Sequence, residues 1–336
     1  MVLELGKKYY DDDADLSILK DKVIGCIGYG NQGTAQANNL RDSGLEVIVG
    51  SLEESMARAR KDGFKTYPIE QVAEKADVIL MLFPDEAQAE VYDKKIKGKL
   101  TEGKTLDFAS GFNIHYGLIR PPKNVDVVMN APRMLGFAVR ELSKRGGGCA
   151  TLIAVHQDYT GKAKETVLAL AKGIGGTKLG AFESSFAEEV ELDLFSEAAF
   201  WGPFYTILPT WLEIAAEAGY NKEIAALELY CSGEMAVETK GMLKSGMFRG
   251  LDSASTTCQY IVLSRGPQVI TKEVKEKMKK ALKDIKSGAL AKEWVNEQKA
   301  GGPNFKKMKR KAMEYPLISE TEDKLEKIRK TVLKFL

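Results

Sequence analysis

Histidine and cysteine, which carry most soft-metal and thiol chemistry, are scarce in this 336-residue chain: two of the first and four of the second. Cys26, Cys149, Cys231 and Cys258 lie far apart in apolar or helical surroundings with no Cys-x-x-Cys pair. That excludes a disulfide framework and a thiolate zinc site, and it predicts reduced thiols in a cytoplasmic protein. His115 and His156 share no metal-binding spacing and flank no nucleophile arrangement, so each reads as structural. His115, close after a strand, is the nearer candidate for a general base. No apolar run approaches the roughly 20 residues of a membrane span. The opening segment holds Asp11, Asp12, Asp13 and Asp15 where a leader would be basic and then apolar, so a soluble, unprocessed protein is expected. Charge of one sign is also lacking: 49 Lys+Arg against 47 Asp+Glu leaves +2, interspersed, and gives no basic stripe for nucleic acid. Even the lysine-rich stretch from Lys272 to Lys286 keeps apolar residues at helical intervals and reads as a solvated helix face.

What is present is a chain 44% hydrophobic, enough for a sizeable core and, by length, about two domains. Gly28-Tyr29-Gly30-Asn31-Gln32-Gly33 follows the apolar run Val23 to Ile27 and precedes the helix-like Thr34 to Leu40, with a second strand at Glu46 to Gly50. In that context the three glycines permit a tight turn, close approach of backbone to a pyrophosphate, and helix-on-sheet packing. Strands at Lys65 to Tyr67, Asp77 to Phe83, Thr105 to Phe108, Val125 to Asn130 and Ala150 to Val155 are read from the same alternation. Helices at Glu53 to Asp62, Ile69 to Lys75, Asp85 to Lys95 and Lys162 to Lys172 fall between them. The predicted fold class is α/β: a doubly wound, parallel-sheet Rossmann-like domain over 1–183. Beyond Ser184 apolar residues recur at three and four spacing, and an all-helical domain is expected over 184–336. Its segments are Phe186 to Ala199, Thr206 to Ala218, Lys222 to Ser245, Ser253 to Ser264, Lys272 to Ser287 and Ala289 to Ala300. Between the first two, Phe200-Trp201-Gly202-Pro203-Phe204-Tyr205 should break the helix and leave rings to be covered by core or by a second subunit.

Asp193 and Glu197 stand four apart, on one face of a helix whose neighbours Leu192, Leu194, Phe195 and Ala198 are apolar. Paired acids there are costly unless a cation neutralises them, and magnesium held by carboxylates and water fits. Glu228, Glu234 and Glu238 on a later helix say little by spacing alone. Ser253, Ser255, Thr256 and Thr257 suit either a carboxylate grip or, preferably, a helix N-cap.

Tyr9-Tyr10-Asp11-Asp12-Asp13-Ala14-Asp15-Leu16, the glycine turn, Asn39-Leu40-Arg41-Asp42-Ser43-Gly44, Pro84-Asp85-Glu86-Ala87-Gln88, Gly111-Phe112-Asn113-Ile114-His115, Pro121-Pro122-Lys123, Gly161-Lys162-Ala163-Lys164, Asp193-Leu194-Phe195-Ser196-Glu197 and Ala291-Lys292-Glu293-Trp294 occur in this order. The series resembles class I ketol-acid reductoisomerases over nearly the whole chain. The resemblance implies NADPH or NADH, two magnesium ions, and reduction with alkyl migration of 2-acetolactate or 2-aceto-2-hydroxybutyrate in branched-chain amino-acid synthesis. It also implies a knotted helical domain like that of 6-phosphogluconate dehydrogenase, paired with its twin in a homodimer or larger assembly. By resemblance Asp193 bridges the metals, Glu197 ligates the first, Glu234 is donated across the dimer and Ser255 contacts substrate. Ser110 and Arg133 complete the expected catalytic set. The nucleotide would meet Gly28 to Gly33, Ser51, Ser55, Asp85, Gln88 and Gly136.

The chain departs from the family pattern at three places near that site. Ser110 stands where the family has histidine, Arg133 where it has lysine with Met134-Leu135-Gly136-Phe137 following, and Tyr230 aligns with the other second-helix glutamate. A tyrosine supplies no carboxylate charge at neutral pH, so one metal site is expected and a second is left open. At the second strand's end Leu52 replaces an arginine, and Glu53 and Glu54 favour a ribose diol, so NADH or dual use is favoured unless Arg58 or Arg60 reaches back. Three functions stay open: the reductoisomerase; a reductase transferring only hydride to a 2-keto acid such as ketopantoate or to an imine; and a non-catalytic nucleotide-binding relative.

Overall fold

A computed structural model describes residues 6–334, which divide between Leu192 and Asp193 into two compact units. The first is built on one nine-stranded sheet: β1 (Lys8–Tyr9), β2 (Val23–Ile27), β3 (Glu46–Gly50), β4 (Lys65–Thr66), β5 (Val78–Met81), β6 (Thr105–Phe108), β7 (Asp126–Pro132), β8 (Thr151–Gln157) and β9 (Ala181–Glu183). Their order is β1-β9-β8-β7-β6-β5-β2-β3-β4. The central strands β5 and β6 are buried at every position, as a parallel sheet covered on both faces requires. One apolar cluster lies on each side, around Ile79, Phe108 and Met129 and around Ile24, Leu40 and Leu80. The chain first winds outward through β3 and β4, then returns to add β5 beside β2. That reversal leaves a crevice at the carboxyl ends of β2 and β5, where open α/β sheets bind ligands.

Helices α1 (Asn31–Asp42), α2 (Glu53–Lys61), α3 (Ile69–Lys75), α4 (Asp85–Val91), α5 (Phe112–His115), α6 (Gly136–Lys144) and α7 (Ala163–Ile174) join the strands. The expected all-parallel order fails at β8, which runs antiparallel to β7. The reason lies in α6, a helix that the periodicity did not reveal. It packs on α1 through Ala35, Val139 and Cys149, so it never carries the chain back to the sheet's amino edge, and β8 starts where β7 ended. The short pair β1 and β9, also antiparallel, was likewise not anticipated from sequence.

The second unit is helical, with its first helix begun in the first unit: α8 (Phe186–Ser196), α9 (Gly202–Glu217), α10 (Lys222–Ala226), α11 (Glu234–Ser245), α12 (Met247–Gly250), α13 (Thr256–Val269), α14 (Lys272–Lys286), α15 (Ala289–Lys299), α16 (Pro303–Met313), α17 (Pro316–Lys324) and α18 (Glu326–Val332). Two expectations are corrected here. Gly202-Pro203 does not break the helix, because Glu197–Trp201 forms a π-helical turn that leads directly into α9, with Pro203 in its first turn. Proline's missing N–H costs nothing at the start of a helix. Conversely the single helix expected over Lys222 to Ser245 is two. Leu227–Cys231 is a second π-helical turn, after which Ser232 and Gly233, the latter at φ +85°, turn the chain into α11. Among the described residues no helix is long and apolar enough to cross a membrane.

Candidate nucleotide cleft and carboxylate helix

The glycine turn is built as its spacing demands. Gly28 sits at φ +99°, and a Cβ there would come within 2.6 Å of the Leu82 carbonyl oxygen on the neighbouring strand's end. A Cβ on Gly33 would overlap the Gly28 carbonyl, so only glycine lets α1 lie this close to the turn. Gly30 precedes α1 and no side chain caps it, which leaves the helix's first N–H groups directed at the crevice for an anion. Gly136 closes the other wall: its Cβ would strike the Asn31 carbonyl. Gly30, Asn31, Thr34, Arg58, Gly136 and Arg140 are among the residues lining a 610 Å³ cleft. Gln32 spans it, its amide donating to the Met134 carbonyl at 3.0 Å.

Two expected nucleotide contacts are otherwise occupied. The Tyr29 ring is buried, donating from its hydroxyl to Asp62 at 2.6 Å and accepting from Asn38 at 3.0 Å, so only its backbone borders the cleft. Gln88 is buried too; its amide donates to the Phe83 carbonyl at 2.8 Å and its oxygen accepts from Asn113. At the adenosine end, Leu52 is 79% exposed and Glu53 is paired with Arg60. Arg58 reaches back, donating to the Tyr29 carbonyl at 3.2 Å and to Ser55 Oγ at 3.1 Å. Ser51, at the end of β3, is partly buried.

Further along the same sheet edge, polar groups converge from the ends of β5, β6 and β7. Arg133 Nη2 lies 2.6 Å from Glu189 Oε1, and the other Glu189 oxygen accepts the Gly111 N–H at 2.8 Å. Glu189 is 1% exposed, although its place in Glu188-Glu189-Val190-Glu191 reads as a wet helix face. The missed signal is Gly111, where a Cβ would overlap the Phe186 carbonyl, so this loop and the start of α8 touch backbone to backbone. Asp85 accepts from Asn113 at 3.4 Å, and burial, followed by the nearby Glu189 charge, pushes its carboxyl up to about 6. His115 stands 3.5 Å from Glu191 and edge-on to Tyr116; His156 packs edge-on to Phe186, and burial lowers its pKa.

In the helical unit, Asp193 and Glu197 lie one turn apart at the junction of α8 and the π-helical turn. Both are solvent-exposed residues, yet partial withdrawal of the Glu197 carboxyl and then the Asp193 charge raise its pKa. A divalent cation would relieve that repulsion, so the pair fits a hard metal. Among the described residues no three His, Cys, Asp or Glu side chains gather to hold an ion. Glu234 opens α11 just after Gly233. The Tyr230 hydroxyl donates to Glu322 of α17 at 2.7 Å. Glu228, on the same π-helical turn, borders an apolar pocket with Trp211 and Tyr220. Ser255 Oγ accepts the Cys258 N–H at 3.2 Å and caps α13.

The comparisons with known proteins cover both units. Residues 18–180 match the acetohydroxy acid isomeroreductase NADPH-binding domain, and 186–331 match the ketol-acid reductoisomerase C-terminal domain. The ketol-acid reductoisomerase (NADP(+)) of Pyrobaculum neutrophilum is 45% identical over 316 residues, covering 93% of this chain and 96% of that protein. The protein of the same name from Leptospira biflexa is 46% identical over 315 residues, covering 92% and 94%. The solved NADH-preferring ketol-acid reductoisomerase from an uncultured archean superposes with TM-score 0.91 at 40% identity, covering 96% of this chain and 98% of that one. On sequence, domain order and fold together, this chain belongs to the ketol-acid reductoisomerase family.

Proposed function

We propose that the chain is a ketol-acid reductoisomerase of branched-chain amino-acid synthesis, converting 2-acetolactate and 2-aceto-2-hydroxybutyrate with NADH or NADPH. The observation that carries the reading is the Asp193–Glu197 pair, two carboxylates one helical turn apart with Glu197 held above its ordinary range, in a chain matched to the family through both domains. These two carboxylates, with Glu234 of a second copy, would hold magnesium, which when bound would polarise the substrate's oxygens for alkyl migration. Tyr230 is committed to Glu322 and adds no carboxylate to this set.

Dimerisation is supported by the surface of the helical unit. Phe200, Tyr205, Ile224, Leu243, Phe248 and Tyr260 are each more than half exposed in the single chain. Apolar surface on this scale marks a subunit contact, and it is where the aromatic patch at 200–205 finds its cover. Dual nucleotide use is supported at the other end of the chain: Glu53 is neutralised by Arg60, while Arg58 faces the cleft with a guanidinium suited to a 2'-phosphate.

Product analysis tests the reading. Purified protein with magnesium, NADH or NADPH and 2-acetolactate is expected to form 2,3-dihydroxyisovalerate. Reduction of simple 2-keto acids with no conversion of acetolactate would instead establish the hydride-only reductase.

A further inference from the structure

One short loop joins the nucleotide helix to the carboxylate helix. It begins at Arg133, directly after β7, and ends at Gly136, where α6 starts. At that end Gly136 lies backbone to backbone on Asn31, where a Cβ would overlap the Asn31 carbonyl, so the loop and the first turn of α1 move together. In its middle the Met134 carbonyl accepts the Gln32 amide at 3.0 Å. The Gln32 amide is itself oriented, because its oxygen accepts from Gln36 at 3.2 Å and Gln36 is buried. At the other end the Arg133 N–H donates to the Ala150 carbonyl at 2.9 Å, and the guanidinium reaches Glu189 of α8 at 2.6 Å.

Glu189 passes on what Arg133 does. Its carboxylate is buried, with one oxygen on Arg133 and the other on the Gly111 N–H at 2.8 Å. Withdrawing a guanidinium from a buried carboxylate is strongly unfavourable, so the first turn of α8 follows Arg133. Asp193 stands one turn further along the same helix. Two hydrogen-bonded side chains, an ion pair and one helical turn therefore connect the glycine-turn helix to the carboxylate pair.

We propose that Gln32 is a positioning residue that couples the nucleotide crevice to the metal-binding carboxylates. A pyrophosphate at the first N–H groups of α1 would steady the turn that carries Gln32, and with it the bond to Met134. The loop then keeps Arg133 on Glu189, and α8 presents Asp193 in one orientation. By reciprocity nucleotide and magnesium should each tighten the other by the same factor, about fivefold. This rests on the metal role proposed above, and its test separates the two.

The first measurement needs no metal. The Gly111 amide, bonded to Glu189, reports the far end of the connection. At saturating NADPH its hydrogen exchange should slow about fivefold in the wild type and stay unchanged in Gln32→Leu. Equal slowing in both overturns the inference. The second is calorimetric titration of magnesium with and without NADPH. The wild type should bind magnesium about fivefold more tightly with nucleotide present, and Gln32→Leu should lose that gain while its nucleotide-free magnesium affinity stays within about twofold. Glu189→Gln breaks the same connection at its other end, so the double variant should lose no more coupling than either single one. A gain that survives in Gln32→Leu overturns the inference even where acetolactate is converted. A wild type that neither binds magnesium nor converts acetolactate sinks the proposed function and the metal half of the inference with it, while Gly111 exchange still decides whether Gln32 governs Glu189.

Discussion

Arg58 shows how much a single side chain decides at the nucleotide cleft. From sequence it and Arg60 were equal candidates to compensate for Leu52, since both lie on α2 within reach of the loop. The structure separates them: Arg60 is spent on Glu53 and Thr66, and Arg58 is fixed between the Tyr29 carbonyl and Ser55. Arg58→Ala should therefore weaken NADPH about tenfold, near 1.4 kcal/mol, and NADH by only about twofold. Fluorescence titration of both nucleotides checks this, and equal losses would remove Arg58 from the 2'-phosphate's environment. The same scale marks what residue patterns could not show. Glycine roles at 28, 30 and 33 follow from covalent geometry and were legible. The burial of Tyr29, Gln88 and Glu189 depends on what folds over them, and neither tyrosine, glutamine nor glutamate announces that locally.

At the scale of elements, strand β6 carries the least expected feature of the core. Asp107 lies at its third position with no exposure, and neither carboxylate oxygen has a hydrogen-bond partner. The Asn130 amide approaches and lowers its pKa slightly, without the geometry of a hydrogen bond, and burial dominates, holding the carboxyl well above its ordinary range. The sign follows from linkage. A carboxyl whose folded pKa exceeds its unfolded value of about 3.9 binds protons more tightly when folded, so stability falls as pH rises through that window. Asp107→Leu should remove this dependence, raising stability by about 1–3 kcal/mol at pH 8 and by less near pH 4. Denaturant unfolding at the two pH values checks it; a gain independent of pH would mean that packing, not ionisation, is responsible. Strand positions such as this one were legible from apolar runs. The antiparallel β8 was not, because its direction is set by α6 choosing α1 as its partner. Nor was the continuity of the helix through Pro203, which requires a π-helical turn that no spacing rule predicts.

For the molecule as a whole, the helical unit leaves Phe200, Tyr205, Leu243 and Phe248 each more than half exposed in the single chain. That surface agrees with the second copy proposed above, a property that sequence could suggest only through family likeness. Mixed subunits test it most directly. Asp193→Asn and Glu234→Gln should each be inactive alone in the reductoisomerase assay. Refolded together as a two-fold symmetric dimer, they restore one intact site in each mixed pair, and activity should return to about a quarter of wild type. A mixture as inactive as either parent would contradict the shared site, and with it the account of how this chain binds its metal.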